Sequence, residues 1–310
     1  MKYWTRSRVA TLAAFTLSLS VALAGCGNHR SEAPPNSEAI VPPAGTVAPL
    51  ETRLSTDAAT PTEPTPTLTD VPRPTPTATV VPSPTPGDPG SVSVPILLYH
   101  HIRDTAGPVR YSVGVQRFEE QLDALVAAGY HTVTVEDVVN AMRQGAPLPL
   151  RPVVLTFDDG NRDILDNAFP LMQARGMVGV VYVVANRMAC DVCIRGEDLR
   201  SLRAAGWEIG SHGLTHQPLV DLRAGAQAAE IGGSKERLEA ALGETIDSFA
   251  YPFGLVSDES LNLLIQAGYT SGVGLGITNT HHKNDLYYLS RREVRGTYDL
   301  QAFRALLAPP

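Results

Sequence analysis

Beyond residue 93 the chain alternates short, almost uninterrupted apolar runs with longer stretches whose apolar residues recur every three or four positions. The run 95–99, Pro-Ile-Leu-Leu-Tyr, predicts a strand. In 118–128, Phe118, Leu122, Leu125 and Val126 share one helical face, and Gly129 stops the helix. The same reading predicts a strand over 132–134, a helix over 136–144 and a continuous apolar strand over 153–157. A helical stretch to Arg175 follows, then the strongest strand pattern, 178–184. Helices over 197–205, 222–242 and 259–267 alternate with strands over 207–211, 249–251 and 269–273. Apolar strands separated by helices suit a parallel sheet covered on both faces. About seven such units predict an α/β fold, a distorted (β/α) barrel, whose chemistry sits where strands end and loops begin.

The pattern stops before Val94. Between 27 and 93 lie 15 of the 25 prolines and twelve threonines, in text such as Thr60-Pro-Thr-Glu-Pro-Thr-Pro-Thr. Such a segment buries too little apolar surface to offset the entropy of ordering, so it predicts a disordered linker with polyproline II character. The first 26 residues predict an export signal. Lys2, Arg6 and Arg8 precede an apolar stretch of sixteen residues, 9–24, short of the roughly 20 that a spanning helix needs. It ends in Leu23-Ala24-Gly25-Cys26, which resembles the lipobox of bacterial lipoproteins. That resemblance implies lipidation of the Cys26 thiol and an extracytoplasmic protein anchored to the bacterial cell membrane. The bland alternative is an ordinary signal peptide containing a cysteine. The expected division is signal 1–26, linker 27–93 and folded domain 94–310.

Composition narrows the class. No apolar run of 18 or more residues occurs beyond the N-terminus, which excludes a multi-span membrane protein. With 25 basic and 32 acidic residues the net charge is −7, against a nucleic-acid binder that tracks phosphates. No protein partner is readable. Three cysteines make no disulfide scaffold; Cys190 and Cys193, a CxxC pair after strand 178–184, fit a loop disulfide in an exported protein. Charged residues on the helices at 118–128 and 222–242 read as solvated faces, and so do His281 and His282 in a polar loop.

Two strand ends carry chemistry. Strand 153–157 runs into Asp158-Asp159-Gly160, adjacent carboxylates that are costly to bury without a positive neighbour. Strand 207–211 runs into His212-Gly-Leu-Thr-His216. If the chain turns helically there, both imidazoles face one way and can hold one ion. Two histidines and one carboxylate leave open coordination positions, the mark of a catalytic metal site. Taken singly, Asp-Asp-Gly is also an ordinary turn and HxxxH an ordinary solvated helix.

Together, Thr156-Phe-Asp-Asp-Gly, Ser211-His-Gly-Leu-Thr-His and Tyr251-Pro-Phe-Gly resemble the polysaccharide deacetylase family, carbohydrate esterase family four. The likeness runs from about residue 95 to 308. The opening Val94-Pro-Ile-Leu-Leu-Tyr-His-His-Ile is similar to the branch of biofilm poly-N-acetylglucosamine deacetylases. The resemblance implies the same distorted barrel and removal of N-acetyl groups from a cell-surface or wall glycan containing N-acetylglucosamine. It implies Asp158 as general base and a divalent metal, most often zinc in the family, on Asp159, His212 and His216. Tyr251, Pro252 and Phe253 would line the oxyanion and substrate site, through the Phe253 N–H. Two departures stand out. Where most members have an Arg that orients the catalytic Asp, this chain has Ala250, so Arg291 or Arg292 is expected to replace it. The usual C-terminal Leu-x-His is missing, and the branch implies His100 as the acid for the leaving amine, with His101 pointing elsewhere. Peptidoglycan, chitin oligomers and O-acetyl xylan remain alternative substrates, and a non-catalytic glycan-binding lipoprotein is the alternative of another class.

Overall fold

The computed structural model describes residues 90–106 and 109–308. The expected export signal, Cys26 and all but the last four residues of the expected linker lie outside the described residues. The first half comprises β1 (Ser91–Ser93), β2 (Ile96–Tyr99), β3 (His101–Ile102), β4 (Ser112–Val113), α1 (Val115–Ala127), β5 (His131–Thr132), α2 (Val135–Gln144), β6 (Pro152–Phe157) and α3 (Phe169–Gln173). The second comprises β7 (Val180–Val183), α4 (Gly196–Ala204), β8 (Glu208–Ser211), α5 (Ala224–Leu242), β9 (Ser248–Ala250), α6 (Asp258–Gln266), β10 (Ser271–Val273), β11 (Thr280–His282), β12 (Arg292–Glu293) and α7 (Leu300–Leu307).

Seven parallel strands form one curled sheet in the order β10-β9-β8-β7-β6-β2-β12, and β5 lies beside the first residues of β6. Its two ends meet. The segment entering β12 bridges β10 in parallel at Val273 and Leu289, and Gly274 and Gly276 donate to the Leu289 and Arg291 carbonyls at 2.9 Å each. The result is the expected distorted barrel, closed on one side by a bridge rather than a full strand pair. Its seventh strand is β12, only two residues long and unmarked by any apolar run, whereas the expected strand at 132–134 is peripheral.

Side-chain alternation along the strands divides the interior into two cores. Ile96, Val154, Val180, Tyr182, Ala250 and Val273 point into the barrel. There they meet Val135, Val138, Val139 and Met142 of α2, which plugs the barrel floor. The alternate residues Leu97, Leu155, Phe157, Val181, Ile209 and Phe249 face outward against α1, α4, α5, α6 and α7. Phe157 stacks on the fully buried Trp207 with ring centroids 5.5 Å apart. Removing that indole would cost about 3–5 kcal/mol by the cavity left behind.

The plug is held at both ends. Thr134 and Asp137 form a capping box at the start of α2, and Gly145, at φ 69°, ends it in the left-handed conformation. Glu208, at the start of β8, points into the barrel beneath the sheet. Its carboxylate accepts from the Glu136 N–H in the first turn of α2 at 2.9 Å and from the Ser248 hydroxyl at 2.5 Å. Gly210, two residues on, has no room for a side chain because the Tyr182 ring lies over it.

Composition placed the domain boundary slightly late. Ser91–Ser93, inside the expected linker, form β1 and pair antiparallel with β11. That pairing also corrects the reading of His281, which is 1% exposed with Nε2 3.0 Å from the Val94 carbonyl oxygen, while its neighbour His282 is exposed. Among the described residues no helix is long and apolar enough to cross a membrane.

Candidate active site

The carboxyl ends of β2, β6, β8 and β9 converge on a cleft of about 350 Å³ lined by His100, Asp158, Asp159, His212, His216, Phe253 and Arg291, among others. Asp158 is the next inward position after Thr156 on β6, and both meet Arg291. The guanidinium donates to the two Asp158 oxygens at 2.7 and 2.8 Å, to the Thr156 hydroxyl at 3.1 Å and to the Gly274 carbonyl at 3.1 Å. It lies 5.4 Å from the Tyr182 ring centroid. Burial alone would raise the Asp158 pKa; the Arg291 charge, then His212, then the Arg291 hydrogen bonds and His100 outweigh it and hold the carboxyl at about 2. Arg292, the other expected candidate, faces away and donates to the Leu306 and Ala308 carbonyls.

Asp159 turns the opposite way. Its φ of 76°, followed by Gly160 at 67°, bends the chain sharply at the end of β6. Of the four described non-glycine residues with positive φ, three are Asp159, His216 and Phe253. For residues of this size that conformation is uncommon, and its concentration at one cleft marks a site whose backbone the surroundings over-determine.

His212 and His216 are not on a helix, contrary to the geometry expected from their spacing. Residues 212–216 form a loop in which Gly213 and His216 adopt φ of 79° and 66°, and this reversal brings the second imidazole back beside the first. The ring centroids are 4.8 Å apart. Glu230 of α5 holds the loop, accepting from the Leu214 and Thr215 amides at 3.0 and 2.9 Å and from the Thr215 hydroxyl at 2.5 Å. Glu230 is 7% exposed, so the reading of that helix's charges as solvated fails at the residue that shapes the site. Its position beside the buried Gln227, Ile231 and Ser234 was the only available signal.

A cation fits between these groups. His212 places Nδ1 2.7 Å from the Ala250 carbonyl oxygen, which assigns the proton to Nδ1 and leaves the Nε2 lone pair facing the carboxylates. That Nε2 lies 3.8 Å from Asp159 Oδ1, and His216 Nε2 lies 3.4 Å from the same oxygen. Asp159 Oδ1 is buried with no hydrogen-bond partner. The three ligand atoms lie within 4.8 Å of one another. An unpartnered buried oxygen facing two imidazole nitrogens is the donor set for a first-row divalent metal.

His100, at the end of β2, lines the same cleft and packs on Tyr111 with centroids 4.8 Å apart. Burial lowers its pKa more than Asp158 and Asp159 raise it. His101 does not simply point elsewhere: it reaches both this cleft and an adjoining one, with Nδ1 2.7 Å from Asp163. Tyr251 and Pro252 are buried, whereas Phe253 is 56% exposed and packs on His216 at 4.8 Å.

Residues 145–272 match the sequence profile of the polysaccharide deacetylase family. The chain carries a polysaccharide deacetylase domain. The likeness extends beyond the matched span. The putative polysaccharide deacetylase YxkH of Bacillus subtilis is 26% identical over 214 residues, 69% of this chain and 76% of that protein. The poly-beta-1,6-N-acetyl-D-glucosamine N-deacetylase of Staphylococcus aureus is 23% identical over 195 residues, 58% of this chain and 67% of that one. Among solved structures, the Streptococcus pyogenes deacetylase PplD superposes with a TM-score of 0.66 at 22% identity, covering 70% of this chain and 99% of that one. The matched domain therefore has the barrel fold of that structure.

Proposed function

We propose that this protein is a metal-dependent deacetylase that removes N-acetyl groups from a cell-surface or wall polysaccharide containing N-acetylglucosamine. The observation that carries the reading is the pair of adjacent carboxylates in two opposite settings. Asp158 is saturated by a guanidinium, and Asp159 is left open toward two imidazoles. One is prepared to stay ionised, the other to bind a cation. The named relatives that act on poly-N-acetylglucosamine support the substrate class. The Leu23-Ala24-Gly25-Cys26 sequence supports a lipid anchor outside the cytoplasm, with the residues between it and Ser91 as its tether.

Asp159, His212 and His216 would hold the metal, zinc being the best match to two imidazoles and one carboxylate. When bound, it supplies Lewis acidity, which polarises a carbonyl and acidifies water. Asp158 stays a carboxylate throughout the physiological range and accepts the proton of the attacking water. Arg291 fixes both Asp158 oxygens, so the base keeps one orientation while charge moves. Because the Tyr251 amide donates to the Val273 carbonyl and Pro252 has no N–H, the Phe253 amide is the next donor after β9, offered to the oxygen on which charge develops. His100 protonates the departing amine, since an amide anion is a very poor leaving group. The test is metal analysis of the purified domain with amine release from N-acetylglucosamine oligomers. Asp159→Ala, His212→Ala or His216→Ala should lose metal and activity together; an active, metal-free protein overturns the reading.

A further inference from the structure

The turn that carries Asp159 has little support from its own strand. It leaves β6 through two successive left-handed residues, Asp159 and Gly160, and passes through Asn161 into a helical turn that begins at Arg162. Their backbone is held from outside by the loop after β7. The Ile194 amide donates to the Gly160 carbonyl at 2.9 Å and the Arg162 amide to the Val192 carbonyl at 3.0 Å. Asn161 and Cys193 form an antiparallel bridge between them. The same loop region brings Arg187 within 3.4 Å of Asn161 Oδ1 and 3.9 Å of Asp159 Oδ1. The supporting loop has little apolar anchorage of its own at the tip, where the Asp191 side chain is 98% and Val192 72% exposed. The disulfide between Cys190 and the buried Cys193 closes it covalently, beside a long backbone hydrogen bond of 3.3 Å from the Cys193 amide to the Cys190 carbonyl.

We propose that the Cys190–Cys193 disulfide is a positioning element for the metal site: it rigidifies the loop 190–194, which in turn clamps Gly160–Arg162 and fixes where Asp159 presents its open oxygen. The inference rests on the reading of Asp159, His212 and His216 as metal ligands. Cys190 and Cys193 touch neither metal nor substrate. They act through the two backbone hydrogen bonds that make up the Asn161–Cys193 bridge, and the barrel does not depend on them, since Trp207, Phe157 and the α2 plug lie elsewhere in the core. Outer residues that orient a metal ligand typically contribute 10–100-fold in affinity. Because the clamp is redox-sensitive, the site should be fully ordered only where the disulfide persists, in an oxidising compartment.

The test compares the oxidised protein, the same protein treated with a phosphine reductant, and Cys190→Ser/Cys193→Ser, each titrated with Zn²⁺ in competition with a chromophoric chelator. Reduction and the double substitution should weaken Zn²⁺ binding alike, by about 10-fold or more, and reoxidation should restore the wild-type protein only. Hydrogen exchange on metal-free protein reads the clamp without the metal. The Arg162 and Ile194 amides should lose protection on reduction, while amides of β6 and β7 keep theirs. Unchanged Zn²⁺ affinity, or unchanged exchange at those amides, overturns the proposal, and so does loss of protection throughout the barrel. If the oxidised protein binds no Zn²⁺, the metal reading falls, and the exchange comparison still decides whether the clamp exists.

Discussion

The barrel has a buried carboxylate at each end of its interior, and the two are driven in opposite directions. Asp158 at the mouth is held at about 2, although burial pushes it up, because a guanidinium grips both its oxygens. Glu208 at the floor is pushed up to about 7 by burial, which the Ser248 hydroxyl and the helix amides only partly offset. Burial is similar, 2% and 4% exposed, so it does not explain the difference. Neutral donors soften desolvation; a full opposite charge reverses it. A carboxylate meant to remain a base needs the second arrangement, and one that only anchors a helix tolerates the first.

The strongest way to break this comparison is Asp158→Asn, which keeps the shape and removes the proposed base. Turnover should fall about 10²–10⁴-fold with metal content unchanged, as measured by metal analysis and amine release. Loss of metal would reassign Asp158 as a ligand. His100→Ala should fall in the same range on an amide and less on an ester, whose leaving group needs less help. Since His100 must be protonated to act and its pKa lies below the ordinary 6.5, the wild-type rate should decline as pH rises through a value below 6.5. That limb should vanish in the variant. An unchanged pH profile rejects His100 as the acid.

Next in size is Arg291→Met, which strands a buried carboxylate and should destabilise the fold by about 3–5 kcal/mol in urea denaturation. The depressed Asp158 contributes stability that is present above its unfolded pKa and lost as pH falls through about 2. This variant should therefore lose that acid-sensitive contribution as well. Glu208→Gln should do the reverse. A raised folded pKa adds no penalty below the unfolded value near 4.5, a growing one between 4.5 and about 7, and a constant one above. The variant should gain stability over wild type across that window, reaching about 3 kcal/mol by pH 8. Equal pH dependence of the two proteins would show that Glu208 is not strained at the floor. Arg292→Ala is the control beside Arg291. It forfeits only hydrogen bonds to carbonyls near the C-terminus, about 1 kcal/mol, and should leave the rate untouched.

What was legible in the sequence follows the range of the interactions involved. Strands β6 and β7 showed as apolar runs because both their faces are covered. Asp158-Asp159 and His212 showed because they come straight after β6 and β8, and His216 showed by its spacing from His212. Strand β12 did not, since Arg292 and Glu293 are half-buried and polar and are held mainly by backbone pairing to Leu97 and Leu98. The loop geometry at 212–216 was misread because spacing alone cannot tell a helical turn from a left-handed reversal, and the decisive partner, Glu230, lies on another helix. The choice between Arg291 and Arg292 likewise depended on which of two adjacent residues faces inward, a matter of strand register that only the pairing with β2 settles.

The antiparallel ladder between β1 and β11 has a directional consequence. Val94 packs with α2 at the floor, and β2 then runs upward to His100 at the mouth. The polypeptide is therefore stitched into the barrel at the pole opposite the cleft. The strand that enters the barrel does so at that far pole, and the cleft opens without it crossing the mouth.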